Sequence, residues 1–332
     1  MTNGLVQSSL KLYEGRLATV LAKSKMTASI IKPLALHAGD TVGVVAPAAA
    51  IEREYLDRGV NALISMGYRV KVSPHALDRD GVLAGPDSMR AAELMAFFAN
   101  PEIKAVFGAR GGYGCGRILP LLDFDALRRT RKVFLGFSDA TFILNALVEL
   151  GGLVCFHGPM VAMDFSKGLT PRASEHLKRL LNGETREFEL DARETLRPGV
   201  AEGELIGGCL SVIVAMLATP FCPEFDGRVL FLEDTGEKAY RIDRMLVQMR
   251  QAGILHRVAG VVFGALRPFS SSEDERALIK DFVLTQTRDL SCPVLFGIEA
   301  GHGTENLTLP LGVRVRLDGS RRKMTFLELA VE

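Results

Sequence analysis

Hydrophobic positions along the chain follow two alternating periods from Thr41 onward. Short runs of β-branched and other apolar residues give way to segments in which apolar residues recur every three or four positions. The first pattern is typical of buried strands, and the second of helices with one apolar face. Their alternation predicts βα units around a parallel sheet, and therefore an α/β fold.

The first half of the chain contains five predicted strands, which are Thr41–Val45, Tyr68–Val72, Ile103–Phe107, Lys132–Leu135 and Leu153–Phe156. Helical segments lie between them, including one capped by Asp87 or Ser88 and another that begins at Ser138 or Asp139. We expect these elements to form an N-terminal doubly wound parallel-sheet domain over residues 27–160.

The second half repeats the alternation, and we expect a smaller, sheet-rich C-terminal α/β domain over residues 204–332. Its predicted elements are a helix over Leu210–Leu217 and strands over Val229–Leu232, Val258–Phe263 and Val294–Phe296. Apolar residues also alternate on both sides of the turn Asp318-Gly319, with Val315 and Leu317 before it and Met324 and Phe326 after it. This last pattern predicts a closing β-hairpin.

Two segments have weaker patterns. Residues 161–203 contain Gly168, Pro171, Pro198 and Gly199, and we interpret them as a linker region between the domains. Residues 1–26 are rich in lysine and arginine but lack the apolar core of a secretory signal, so we expect a flexible or accessory extension.

Composition narrows the class of protein. The 332 residues are 48% hydrophobic and 24% charged, which is typical of a globular chain of two domains. The net charge of +1 predicts no nucleic-acid partner, and the lack of a long apolar run predicts no membrane span. The five cysteines are widely spread, which favours reduced thiols in the cytoplasm and disfavours a structural metal site. We expect no cofactor.

A glycine-rich turn around Cys115 is the most informative candidate for chemistry. A predicted strand runs into Arg110-Gly-Gly-Tyr-Gly-Cys-Gly116, and a helix follows at once. This order resembles a nucleophile elbow, in which the helix N-terminus favours a thiolate and the amide of Gly116 stabilises an oxyanion. Two alternatives stay open at this stage: the glycines cradle a phosphate, or Cys115 is a small buried residue.

A thiol nucleophile needs a base and a carboxylate that orients the base. Among the six histidines, His302 lies in a glycine-flanked loop after a strand, and His157 at another strand end is the second choice. Glu233 ends an apolar strand and is the candidate carboxylate, although a helix-capping role is the alternative.

Several motifs, in the same order along the chain, resemble those of the LD-carboxypeptidase family of serine peptidases. They cover residues 39–312 and are Gly39-Asp-Thr-Val-Gly-Val-Val-Ala-Pro47, Ala84-Gly-Pro-Asp87 with Arg90, Arg110-Gly-Gly-Tyr-Gly114, Gly136-Phe-Ser-Asp139, His157-Gly-Pro159, Gly207-Gly208, Leu232-Glu-Asp-Thr-Gly-Glu237 with Tyr240-Arg-Ile-Asp-Arg244, and Gly301-His302-Gly303. Together these short motifs are specific for the family.

The resemblance implies a two-domain cytoplasmic hydrolase, a homodimer with a Ser-Glu-His triad and no metal. On this comparison the nucleophile position falls on Cys115, the carboxylate on Glu233 and the base on His302. We therefore expect a cysteine variant of the family. A second departure is Cys209, where relatives often carry asparagine.

The implied reaction removes the terminal D-Ala from the murein tetrapeptide L-Ala-γ-D-Glu-meso-diaminopimelate-D-Ala in peptidoglycan recycling. The amides of Gly116 and Gly85 are the expected oxyanion donors. An arginine is expected to hold the free carboxylate of the substrate, and the candidates are Arg90, Arg110 and Arg117.

Two other functions are retained as alternatives. One is a detoxifying amide hydrolase of the microcin C immunity type, for which the sequence offers no tryptophan to stack a base. The other is a non-catalytic muropeptide-binding relative in which Cys115 is structural.

Overall fold

The computed structural model describes residues 29–184, 188–270 and 272–332. The predicted extension over residues 1–26 lies outside the described residues. The described part of the chain forms two sheets, of six and eight strands, with helices packed against them.

The first sheet is built from five parallel strands and one antiparallel strand. The parallel strands are β1 (Thr41–Val45), β2 (Arg69–Val72), β3 (Ile103–Gly108), β4 (Val133–Gly136) and β5 (Cys155–His157). They lie in the order 2-1-3-4-5, which is a doubly wound order, so that prediction is confirmed. All four residues of β4 are buried, as expected of a parallel strand covered on both faces.

Helices connect these strands, and each of them has buried residues on one side. Their bounds are α1 (Arg53–Ser65), α2 (Asp87–Ala99), α3 (Cys115–Ile118), α4 (Phe124–Thr130) and α5 (Thr141–Glu149), with short 3-10 segments at Leu119–Leu121 and Ser138–Ala140. The start of α4 is fixed by Asp123, whose side chain accepts a hydrogen bond from the amide of Ala126.

The second sheet has parallel strands at its centre and antiparallel strands at both edges. Its strands are β6 (Phe188–Asp191), β7 (Glu194–Arg197), β8 (Val200–Cys209), β9 (Val229–Glu237), β10 (Gly260–Pro268), β11 (Val294–Phe296), β13 (Arg314–Asp318) and β14 (Lys323–Phe326), in the order 6-14-13-8-9-10-11-7. The central strands β8, β9, β10 and β11 are parallel. The predicted hairpin is confirmed, with Val315 opposite Phe326 and Leu317 opposite Met324.

Five helices belong to the second half, and one late strand returns to the first sheet. The helices are α6 (Pro171–Leu181), α7 (Leu210–Met216), α8 (Ala239–Gln251), α9 (Ile254–Arg257) and α10 (Glu273–Thr287). Strand β12 (Leu309–Leu311) pairs antiparallel with β5. The two halves of the chain are therefore joined by β-pairing as well as by side-chain packing.

The segment over residues 161–203 is not the linker that its glycines and prolines suggested. It forms a π-helix at Val161–Phe165, the helix α6, the strands β6 and β7 and the start of β8. Pro171 occupies the first turn of α6, where its missing N–H costs nothing. Pro198 and Gly199 form the turn between β7 and β8. Because β6 and β7 join the second sheet, this sheet has more strands than the sequence suggested.

Helix α5 holds the two sheets together through polar contacts with β8. The side chain of Asn145 donates to the carbonyl of Gly207 at 2.9 Å and accepts from its amide at 3.1 Å. The hydroxyl of Thr141 accepts from the amide of Cys209 at 3.1 Å. Gly208 has φ +135°, and a Cβ there would lie 2.6 Å from the Thr141 hydroxyl. The paired glycines therefore let a strand of one sheet approach a helix of the other.

Gly59 in α1 provides a test of the packing that supports the π-helix. A Cβ at Gly59 would lie 1.9 Å from the carbonyl oxygen of Val161. Helix propensity favours Gly59→Ala by about 1 kcal/mol, but overpacking against backbone costs about 1–3 kcal/mol. We expect a net loss of stability, measured by urea unfolding. Asn61→Ala, at an exposed position of the same helix, is the control and should not lower stability. Equal stability of the two variants would contradict this packing.

Candidate active site

The turn between β4 and α5 places Ser138 in a strained backbone conformation. Ser138 has φ +59°, in the left-handed region that non-glycine residues rarely adopt. It follows a fully buried strand, begins a 3-10 turn that leads into a helix, and is itself only half-buried. A strained residue at a strand-to-helix turn, with its side chain accessible, is the geometry of a nucleophile elbow.

Gly111 of the glycine-rich turn lies directly against this elbow. A Cβ at Gly111 would lie 2.8 Å from Cβ and 3.0 Å from Oγ of Ser138, and 3.2 Å from the amide nitrogen of Asp139. Only glycine allows the two turns to approach this closely. The turn and the elbow therefore form one surface around the Ser138 hydroxyl.

Asp139 joins the elbow to the glycine-rich turn. Its carboxylate accepts a hydrogen bond from the amide of Cys115 at 2.7 Å and is 5% exposed. Burial raises the pKa of Asp139, although the hydrogen bonds from Cys115 and the charge of Arg90 partly offset that effect. We therefore assign Asp139 to the support of the site.

Cys115 does not have the environment of a nucleophile. Its side chain is completely buried, and burial, followed by the nearby carboxylate of Asp139, raises the pKa of the thiol well above its ordinary value. The expectation that the turn favours a thiolate here is wrong. The helix α3 behind Cys115 is only four residues long, so its dipole does not offset desolvation and a neighbouring negative charge.

Arg90 is a structural clamp, and each of its three guanidinium nitrogens is bound to an acceptor within the described part of the chain. It is 2% exposed and donates to the carbonyls of Gly85 at 3.1 Å and Gly114 at 3.0 Å, and to the carbonyl of Pro47. Its remaining nitrogen pairs with Asp87. The prediction that Arg90 binds substrate is therefore not supported, because its guanidinium is used to fix three backbone segments.

The other predicted binding residues have different surroundings. Gly116 packs against Phe142, since a Cβ at Gly116 would lie 3.0 Å from that ring. The carbonyl of Gly85 accepts a hydrogen bond from Arg90. Arg117 pairs with Asp87 at 2.8 Å. Arg110 donates to the carbonyl of Ala50 at 3.1 Å, but its buried Nε has no hydrogen-bond partner among the described residues.

Glu233 and His302 form a direct pair across two segments of the chain. Nδ1 of His302 lies 2.7 Å from Oε2 of Glu233, and the backbone amide of His302 donates to the same oxygen at 2.9 Å. Glu233 lies on β9 and is completely buried, whereas His302 is half-buried. Because Nδ1 is bound to the carboxylate, Nε2 is the nitrogen that is left for proton transfer.

The loop that carries His302 needs a glycine beside it. Gly301 has φ +87°, and a Cβ there would lie 2.4 Å from Oε2 of Glu233. The side chain of Asn306 accepts a hydrogen bond from the amide of Gly301 at 3.0 Å. The glycine therefore allows the loop to close on the carboxylate.

The electrostatics of the pair favour a charged carboxylate and a basic imidazole. Burial by itself raises the pKa of Glu233, but contacts with His157 and His302 outweigh it and lower the pKa to about 2. Burial by itself lowers the pKa of His302, but the hydrogen bond to Glu233 and the negative charges of Glu233, Asp234 and Asp164 together outweigh it and raise the pKa above its ordinary value of 6.5. The carboxylate therefore stabilises the imidazolium form that a general base reaches during catalysis.

Phe137 brings the elbow and the Glu233–His302 pair together. Its ring centroid lies 4.7 Å from that of His302, and it directly precedes Ser138 in the chain. The elbow comes from the first sheet, while the carboxylate and the histidine come from the second half of the chain. The arrangement offers a hydroxyl, a base and an orienting carboxylate, which suits covalent acyl transfer.

Ser138 is a candidate nucleophile that the sequence pattern does not single out. It lies in the motif Gly136-Phe-Ser-Asp139, where the pattern predicts a helix that begins at Ser138 or Asp139. A serine between a predicted buried strand and a predicted helix was the available signal. The glycine-rich turn around Cys115 matched the same pattern, and only burial and φ distinguish the two.

No group of three or more histidine, cysteine or acidic side chains suited to hold a metal occurs among residues 29–184, 188–270 and 272–332. In the same ranges, no helix is both long and apolar enough to cross a membrane.

Comparisons with known proteins agree on one family. The model of the LD-carboxypeptidase N-terminal domain matches residues 42–158, and that of the C-terminal domain matches residues 202–317. The chain is 37% identical over 301 residues to a probable murein peptide carboxypeptidase of Bacillus subtilis, covering 88% of this chain and 92% of that protein.

Two further proteins, one of them a solved structure, are similar to this chain. A murein tetrapeptide carboxypeptidase of Pseudomonas aeruginosa is 30% identical, covering 84% of this chain and 94% of that protein. The crystal structure of muramoyltetrapeptide carboxypeptidase from Oxalobacter formigenes superposes with a TM-score of 0.78 at 32% identity, covering 86% of this chain and 97% of that chain. The chain therefore belongs to the LD-carboxypeptidase family of peptidases.

Proposed function

We propose that this protein is an LD-carboxypeptidase that removes the terminal D-Ala from murein tetrapeptide in peptidoglycan recycling. Relatives named as murein peptide and murein tetrapeptide carboxypeptidases support carboxypeptidase activity on murein peptides. The observation that carries the proposal is the buried Glu233–His302 pair beside the strained, accessible Ser138. The proposed triad is Ser138, His302 and Glu233, which replaces the Cys115 triad that the sequence suggested.

In the proposed mechanism, Nε2 of His302 takes the proton of the Ser138 hydroxyl as Oγ attacks the carbonyl carbon of the L-centre of diaminopimelate. The tetrahedral intermediate collapses, and His302 gives that proton to the leaving amine of D-Ala. Water then attacks the acyl-enzyme with His302 again as base, which releases the tripeptide and restores the hydroxyl of Ser138. Glu233 stays ionised throughout and stabilises the imidazolium.

The oxyanion and the substrate carboxylate need separate donors. The proposed oxyanion site is formed by the amide of Asp139 and by the backbone of Gly111, which faces Ser138. The residue after a nucleophile commonly supplies such an amide, and Asp139 directly follows Ser138. Arg110 is the proposed partner of the terminal carboxylate, since its Nε has no other acceptor among the described residues.

We also propose that the enzyme works as a homodimer in the cytoplasm, as the family resemblance implies. All five cysteines are free, which supports a reducing compartment. Light scattering on the purified protein tests the dimer.

A second candidate activity is hydrolysis of an aminoacyl-nucleotide toxin. The microcin C7 self-immunity protein of Escherichia coli is 27% identical and the match covers 89% of this chain. The sequence contains no tryptophan to stack a base, and the relatives named for murein peptides are more similar in sequence. Competition between tetrapeptide and an aminoacyl-sulfamoyl nucleoside in one assay separates the two activities, and exclusive cleavage of the nucleoside would overturn our assignment.

The nucleophile is tested by a pair of alanine variants. Ser138→Ala should lower release of D-Ala from tetrapeptide by at least about 10³-fold, because the hydroxyl needed for covalent catalysis is lost. Alanine keeps the Cβ of serine, so the backbone of the elbow should not change. Cys115→Ala removes a buried thiol that no step uses, so its kcat should stay within about threefold of wild type. Both variants should give the circular dichroism spectrum of the folded protein.

Chemical modification adds an independent check on the same assignment. Iodoacetamide near neutral pH should leave D-Ala release unchanged, because the Cys115 thiol is buried and its pKa is raised. Rapid inactivation with protection by tetrapeptide, together with an active Ser138→Ala variant, would restore Cys115 as the nucleophile.

The pH dependence of kcat/KM tests the Glu233–His302 pair. The base must be neutral, so activity is lost as pH falls through the pKa of His302, which lies above 6.5. Glu233→Gln removes the charge that raises this pKa, and the acid limb should therefore move to lower pH. Because the imidazolium also loses its partner, kcat should fall by about 10³-fold.

The control for this experiment is Glu202→Gln. Glu202 lies on the neighbouring strand β8 and pairs with Arg316 at the surface, so this variant should keep the wild-type profile. An acid limb that does not move in Glu233→Gln would contradict the pairing.

A further inference from the structure

His157 lies on the far side of the Glu233 carboxylate from His302. Its Nε2 is 3.6 Å from Oε1 of Glu233, while Nδ1 of His302 is 2.7 Å from Oε2. The carboxylate is thus flanked by two imidazoles, one on each oxygen. The proposed mechanism uses only His302, which leaves the second histidine without a stated role.

The two oxygens of Glu233 differ in how well they are hydrogen-bonded. Oε2 accepts from the side chain and the amide of His302. Oε1 has no hydrogen-bond partner among the described residues, and the same is true of both ring nitrogens of His157. An unpaired buried polar group costs about 1–3 kcal/mol, and more when it is charged. Here two such groups face each other, and an approach of about half an ångström brings them within hydrogen-bond distance.

The ring of His157 is held in place by aromatic neighbours. Phe137 and Phe231 both meet it edge-on, with centroids 5.8 Å and 5.1 Å away. His157 is completely buried at the end of β5 in the first sheet, while Glu233 and Phe231 lie on β9 in the second sheet. The contact therefore crosses between the sheets at the same place as the proposed triad.

We propose that His157 is a positioning residue for Glu233: its Nε2–H donates to Oε1, which fixes the carboxylate so that Oε2 stays on His302. This inference rests on the proposed function, because it assigns His157 to the same reaction. His157 touches neither the substrate nor the reacting atoms. Its effect on kcat passes through the orientation of the carboxylate. Because the backbone amide of His302 holds Oε2 independently of His157, the pKa of His302 responds to the charge on that oxygen.

The sign of that effect follows from the shared carboxylate. A donor on Oε1 draws charge away from Oε2, so His157 weakens the stabilisation of the His302 imidazolium. Removing the donor leaves more charge on Oε2 and raises the pKa of His302. The acid limb of kcat/KM should therefore move to higher pH, which is opposite to the shift expected for Glu233→Gln.

The other charged groups near His157, Glu233 and His302 are the same in wild type and in the His157 variants. The carboxylates that act on His302 besides Glu233 are Asp234 from β9 and Asp164 from the π-helix. From β5 and β4 the neighbours of His157 are the apolar Phe156 and the uncharged Gly136, and from β12 the residue paired with it is Leu309. Substitution of His157 thus changes one polar partner of the carboxylate.

The first experiment compares His157→Gln with His157→Leu. The amide nitrogen of Gln takes the place of Nε2 and keeps the donor, so its acid limb should match that of wild type. Leu fills the space without a donor, so kcat should fall about tenfold and the acid limb should move to higher pH. A merely structural histidine would lower kcat or stability without moving the limb, and an unmoved limb in folded His157→Leu would overturn the proposal.

The second experiment does not depend on whether His157→Leu folds. Nitrogen-15 NMR of histidine-labelled wild-type protein, without substrate, should show His157 with a proton on Nε2. The signal is assigned by its loss in His157→Gln. A proton on Nδ1 alone would overturn the proposal even if His157→Leu does not fold. This measurement stands apart from the proposed function, whose own failure would appear as intact tetrapeptide with the wild-type enzyme.

Discussion

A carboxylate with no access to water is the constraint on which this structure depends. Glu233 lies between the two sheets, and a buried charge is tolerated only where donors surround it. The loop that carries His302 supplies two donors to one oxygen, and Gly301 is the residue that lets this loop close. The same contacts that make the charge tolerable also make His302 a better base, so folding and chemistry use one set of interactions.

The elbow and the glycine-rich turn beside it are also held by a small number of hydrogen bonds. Arg90 binds three backbone carbonyls, one of them in the glycine-rich turn, and Asp139 accepts a hydrogen bond from the amide of Cys115 in the same turn. Ser138 keeps its strained φ because these neighbours determine its position. A cysteine is tolerated at the apex of the turn because its thiol is packed away and stays neutral.

Much of the fold followed from local pattern. The bounds of β1 and β11 agree with the predicted strands, because short apolar runs are a local signal. Helix α2 begins at Asp87 itself, with Pro86 before it and no side-chain cap, so the predicted cap at Asp87 or Ser88 is wrong. The π-helix, α6, β6 and β7 escaped prediction. Helix α6 does carry a helical pattern, with Ala173, His176, Leu177, Leu180 and Leu181 buried at helical spacing, but the glycines and prolines around it favoured a linker. The short strands β6 and β7 are mostly unburied and depend on neighbouring strands for pairing.

The sequence by itself determined the α/β class and the family, and it singled out Glu233 and His302 as candidates, since periodicity and short motifs are local signals. Their contact is a property of the tertiary structure. The sequence did not distinguish Ser138 from Cys115, because both follow a strand and precede a helix. Only the tertiary structure shows the difference in environment that favours Ser138 as the proposed nucleophile. Burial and the charge of a neighbouring carboxylate depend on residues far apart in the chain, and they act on Cys115 while leaving the hydroxyl of Ser138 accessible.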